Sequence, residues 1–92
     1  MSALVIASFN LLDEDKLKQY SAEAAGTIAK FGGEFLAKGK SINLDGDTTY
    51  TMTAVIQFAE IETATNWYHC AEYQEIIPLR NEAMNAHFQI VG

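Results

Sequence analysis

Between Trp67 and Arg80 the chain gathers a histidine, a cysteine, tyrosines, a tryptophan and an arginine around its lone proline, Pro78. His69 is the natural general base of this set, because imidazole titrates near neutrality and stands beside Tyr68 and close to Tyr73. The competing reading is a cation in the last turn of a helix, which the negative helix end favours without any substrate. Arg80 follows the proline among apolar residues and is suited to grip a carboxylate or stabilise an enolate. As a purely structural residue it would pair instead with Glu72, Glu75 or an acid on another chain. Trp67, Tyr68, Tyr73 and Tyr20 are fit to line an aromatic slot for a planar organic molecule, their phenols supplying orienting hydrogen bonds. Core filling accounts for Trp67 equally well. Cys70 would need a partner to lower its pKa, and its neighbour His69 points elsewhere on a helix, so it reads as a small filler or a weak cap.

Other chemistries find no support in the spacing. His69, His87, Cys70 and the scattered carboxylates lack the intervals of a metal cage, so neither a metal nor another cofactor is expected. An axial haem ligand could in principle come from His87 or His69, but nothing else in so small a chain fits that group. Asp45-Gly46-Asp47 lacks the further ligands of a calcium loop, and Asp13-Glu14-Asp15 reads as a helix start. Twelve acidic against six basic side chains give a formal charge of −6, which repels phosphates and anionic headgroups. Nucleic acid and membrane are therefore not expected as partners. A single cysteine cannot close a disulfide within the chain, which fits a reducing, cytoplasmic setting. The apolar run from Ala3 to Leu12 has no basic residue before it, meets acidic residues at once, and is too short to span a bilayer.

The elements that must position these groups follow from periodicity. The apolar, partly β-branched run Ala3 to Leu11 predicts a buried strand. Asp13 is a plausible N-cap for a helix to Phe31, with Leu17, Tyr20, Ala24 and Ile28 at helical spacing and Gly32 as its stop. Gly33 to Leu44 predicts a second strand with a bulge or close approach at Gly39. Asp45-Gly46-Asp47 turns it into a third strand, Thr49 to Phe58. Glu60 to His69 predicts a second helix, Ala71 to Met84 helical turns interrupted at Pro78, and His87 to Val91 a fourth strand. The order β-α-β-β-α-β is an α+β, ferredoxin-like sandwich in one domain over residues 1–92: a four-stranded antiparallel sheet with its helices on one face. A hydrophobic share of 49% is enough for a packed core and too high for a disordered tail.

Strand one carries bulky apolar groups on both parities, Leu4 and Ile6 against Val5 and Phe9, and strand three sets Val55 against Ile56 and Phe58. Helices cover only one side of such a sheet, so a homodimer packed through the bare sheet face is expected.

Tyr20, the run Gly32-Gly33-Glu34-Phe35-Leu36-Ala37-Lys38-Gly39, Asp45-Gly46-Asp47, Phe58, Trp67-Tyr68, Tyr73-Gln74 and Arg80 occur in an order and spacing that resemble the DUF1330 family over essentially the whole chain. That family belongs to the dimeric α/β-barrel superfamily, in which two ferredoxin-like chains pack their sheets face to face, and it has no established function. The wider superfamily includes cofactor-free monooxygenases, muconolactone isomerases, haem-dependent relatives and stress-response proteins, with pockets between sheet and helices. The resemblance is imperfect at Lys38, where arginine is usual, at Asp45, Met52 and Gln57, and at Cys70-Ala71, where serine-proline is usual. Two readings follow. The chain is a small dimeric protein holding an apolar or aromatic molecule between sheet and helices, or a cofactor-independent isomerase- or monooxygenase-like enzyme with His69 as base and Arg80 stabilising an anion.

Overall fold

A computed structural model describes residues 2–92. The chain runs β1 (Ala3–Leu11), α1 (Glu14–Lys30), β2 (Glu34–Lys40), β3 (Met52–Phe58), α2 (Ile61–His69), α3 (Ala71–Ala83) and β4 (Met84–Val91). The strands form one antiparallel sheet in the order β2-β3-β1-β4, the ferredoxin-like arrangement. Asp13 caps α1 by accepting from the Lys16 backbone N–H at 3.1 Å. Gly32 follows the helix at φ 71°, a left-handed conformation that glycine adopts without a Cβ penalty. Gly33 is needed for a different reason. A Cβ there would lie 2.6 Å from Phe58 Cε1 and 2.8 Å from Ile28 Cγ2, so the backbone itself packs on the core.

Alternation in β1 separates the two faces. Ala3, Val5, Ala7 and Phe9 are buried, while Leu4, Ile6, Ser8 and Asn10 are only partly covered. The cross-strand register carries this across the sheet: Ala54, Ile56, Phe58 and Phe88 share the helix side, and Val55, Gln57, Thr53 and Gln89 the other. The buried core joins Val5, Phe9, Tyr20, Ile28, Ile56, Phe58, Trp67, Tyr73 and Met84 between sheet and helices. On the open side Leu4, Ile6 and Val55 form an apolar centre, with Ser8, Thr53, Gln57 and Gln89 around it.

Several boundaries depart from the sequence expectation. The expected interruption at Pro78 does not occur, because α3 is continuous from Ala71 to Ala83. Pro78 is exposed, so the Gln74 carbonyl that loses its donor is free to meet water, while Tyr73, Ile76, Ile77 and Leu79 pack against the core and hold the helix. The helix layer thus contains three helices, giving β-α-β-β-α-α-β. β2 ends at Lys40 rather than Leu44, and β3 begins at Met52 rather than Thr49. Ile42 and Leu44, 86% and 93% exposed, have nothing to pack on. The Asn10 side chain takes over from the ladder, donating to the Thr49 carbonyl and accepting from the Thr51 N–H. β4 begins at Met84 rather than His87, because its pairing with β1 extends to Leu11.

The bulge lies between Phe35 and Ala37, not at Gly39. It shifts the parity of β2, so Glu34 pairs with Gln57 on the open side and Lys38 with Ala54 on the helix side. The two charges therefore do not share a face, as uninterrupted alternation would have them.

Candidate functional site

Helical spacing puts Tyr20 of α1 and Tyr73 of α3 at one level of the helix layer, and their hydroxyls meet at 2.7 Å. Seven residues on from Tyr73, about two turns, Arg80 Nη1 donates to the Tyr73 hydroxyl at 3.1 Å and to the Tyr68 hydroxyl at 3.2 Å. Three phenols from three helices are thereby joined through one guanidinium. Phe88 of β4 completes the arrangement, its ring centroid 4.5 Å from the Arg80 guanidinium carbon. Trp67 stands beside the cluster, 4.4 Å from Tyr73 between ring centroids, and donates its indole N–H to Thr27 Oγ1 at 3.0 Å.

The electrostatics are those of a cation among neutral oxygens. Burial drives the Tyr20 phenol far above its ordinary value, with the neighbouring Tyr73 adding to the effect. Burial also raises Tyr73, outweighing the hydrogen bonds from Tyr20 and Arg80 that act the other way. For Arg80, burial works against the charged form, but the hydrogen bonds to Tyr68 and Tyr73 oppose it and the net shift is upward. The guanidinium stays protonated, and its Nε is sealed from solvent without a hydrogen-bond partner among the described residues.

Two cavities adjoin this cluster. The inner one, about 40 Å³, lies between sheet and helices against Phe9, Tyr20, Ile28, Ile56, Trp67 and Phe88, with Lys38 and Ser21 also lining it. That is room for a few waters, each needing about 10–15 Å³, and far less than the range of about 300–1,000 Å³ usual for small-molecule sites. The outer one, about 310 Å³, is a cleft between α2 and the edge strand β4, lined by Val5, Thr65, Trp67, Tyr68, His69, Phe88, Gln89 and Ile90. Trp67 and Phe88 border both.

The residues singled out in the sequence therefore divide. Tyr20, Trp67 and Tyr73 are buried, at 7%, 1% and 0% exposure, and belong to the packed core; Tyr20 and Trp67 border the inner cavity, and of the three only Trp67 reaches the cleft. Tyr68 and His69 line the cleft; His69 is exposed at the end of α2, edge-on to Tyr68. Arg80 makes no ion pair among the described residues, and Glu72 bonds Lys30 at 3.0 Å instead. Cys70 sits between α2 and α3, and its side chain makes no cap bond. No group of three metal-ligating side chains occurs among the described residues. Sequence reasoning missed Phe88 and Thr27. Alternation with Ala86 marks Phe88 as facing the helices, but its contact with Arg80 depends on β4 lying at the sheet edge beside α2 and α3.

The fold and these joined side chains define a small ferredoxin-like α+β protein. The chain belongs to DUF1330, described as a domain of unknown function, whose family model matches residues 2–92. No curated protein matches the chain. Among solved structures, a protein of unknown function from Rhodopseudomonas palustris superposes with a TM-score of 0.79 at 12% identity, covering 98% of this chain and 80% of that one. A dimeric ferredoxin-like protein of unknown function from Jannaschia sp. CCS1 gives 0.76 at 11% identity, covering 100% and 99%. SnoaB, a cofactor-independent oxygenase from Streptomyces nogalater, gives 0.72 at 9% identity, covering 99% and 91%. At such identities the likeness is one of fold.

Proposed function

We propose that this protein is a homodimer whose subunits each hold a small, planar, largely apolar organic molecule in the cleft between α2 and β4. The observation that carries this reading is the cleft itself. Its 310 Å³ reaches the range of about 300–1,000 Å³ usual for small-molecule sites, and its walls are aromatic and aliphatic with Thr65, His69 and Gln89 as polar points. Trp67 forms the buried wall, with Tyr73 packed against it and Tyr20 bonded to Tyr73 deeper in the core, while Tyr68 and His69 meet the ligand. The dimer reading rests on the open sheet face, whose apolar centre at Leu4, Ile6 and Val55 no helix covers. The solved Jannaschia relative, described as dimeric, supports it.

The enzymatic reading with His69 as base has less support, since no hydrogen bond orients that exposed ring among the described residues. Planar aromatic compounds added to isotope-labelled protein are expected to move the amide resonances of Thr65, Tyr68, Phe88 and Gln89 together. Thr65→Phe, which narrows the cleft without touching the buried cluster, is expected to abolish those shifts. Unchanged shifts in that variant would place the ligand elsewhere.

A further inference from the structure

We propose that Phe88 sets the depth of the ligand site: its ring bars a molecule held in the cleft from the inner cavity, so the protein selects a compact fused ring system over an elongated one. The inference rests on the cleft reading above and adds the shape of the ligand. Trp67 and Phe88 line both the cleft of about 310 Å³ and the inner cavity of about 40 Å³, so the wall between the two volumes is made of these two side chains. The inner space exists because Ala7 pairs with Ala54 on the helix side of the sheet, where two methyl groups leave the layer unfilled. Phe88 is the partner of Ala7 on the opposite strand and stands at the end of that alanine row. Two residues back on the same face of β1, Val5 already belongs to the cleft.

The two halves of the wall are not equally fixed. Trp67 is 1% exposed, bonded to Thr27 and packed against Phe58 and Tyr73, so it belongs to the core before it belongs to the site. Phe88 is partly exposed on the edge strand, with the Tyr68 ring centroid at 6.2 Å and the Arg80 guanidinium carbon at 4.5 Å. Depth is therefore decided at Phe88. A ligand longer than the cleft leaves its surplus length in water, where apolar surface gains nothing, whereas a compact ring system is buried along its whole length. With the Phe88 ring removed, the vacated space joins the inner cavity to the cleft and gives one pocket deep enough for a further phenyl group.

The test titrates 2-naphthol and its elongated analogue 6-phenyl-2-naphthol into the full chain. The amide resonances of Thr65 and Gln89, which line the cleft alone, and of Ser21 and Ala24, which line the inner cavity alone, report where each probe lies. In the native protein both probes are expected to move Thr65 and Gln89 only and to bind with similar affinity. In Phe88→Ala the elongated probe is expected to bind roughly tenfold or more tightly than 2-naphthol and to move Ser21 and Ala24 as well. Phe88→Leu, which keeps an apolar side chain in place and carries the comparison where the alanine variant fails to fold, is expected to show a smaller preference of the same sign. Movement of Ser21 and Ala24 in the native protein, or a folded variant with neither the preference nor the inner shifts, overturns the depth inference and leaves the cleft reading standing. If neither probe moves Thr65 and Gln89 in the native protein, both fall.

Discussion

Tyr73 holds the helix layer's polar network together at a single oxygen, which bonds Tyr20 at 2.7 Å and Arg80 at 3.1 Å. Tyr73→Phe keeps the ring packing and removes that oxygen, leaving the buried Tyr20 hydroxyl without its partner. The expected loss is about 1–3 kcal/mol, read from urea unfolding with an unchanged m-value. The same phenols predict an alkaline limb. Their folded pKa values lie above the ordinary value of 10.0, so the native state keeps protons that the unfolded chain gives up. Their contribution is complete below pH 10 and is lost as pH rises toward the folded values. Stability is expected to fall from about pH 10 upward, by up to ~1.4 kcal/mol per pH unit for each phenol. Tyr20→Phe is expected to flatten that limb, and an identical slope in the variant would assign the effect to other groups. The identities of the cluster were legible in the sequence, since unusual side chains crowd residues 67–80. Their roles were not, because the contact of Tyr20 with Tyr73 spans 53 positions and no local pattern encodes it.

At the scale of elements, the strands and α1 were readable because a one-sided sheet and an amphipathic helix leave alternating and three-to-four-residue patterns. α3 was readable as helical turns but its continuity through Pro78 was not, because proline's local preference against helix was outweighed by Tyr73, Ile76, Ile77 and Leu79 packing on the core. The β2 bulge was equally hidden. Its extra residue is Leu36, and no described non-glycine residue has positive φ, so no glycine was needed to announce it. Gly33 shows a glycine acting through space instead of dihedral freedom. Gly33→Ala is expected to cost about 1–3 kcal/mol, because Phe58 and Ile28 must move away from the entry to β2. Gly39→Ala meets nothing within 4 Å and serves as the control. Equal melting temperatures for the two variants would show that the close approach has no energetic weight.

Over the whole molecule, the two sides of the sheet have different fates. One is sealed by three helices, and the other carries Leu4, Ile6 and Val55 in the open, where the dimer reading puts a second copy. Ile6→Glu sets a charge at the centre of that face, and sedimentation at micromolar concentration is expected to find single subunits with native circular dichroism, against paired subunits for the parent chain. A parent chain that sediments as single subunits would remove the basis for the dimer. The helix-covered side has an optical counterpart. The chain's lone indole, Trp67, is 1% exposed, wedged among Phe58, Tyr68 and Tyr73, and bonded to Thr27. At that exposure its fluorescence reports the packed interior, so a blue emission that acrylamide fails to quench is the native signature, and its red shift times the moment the layers part.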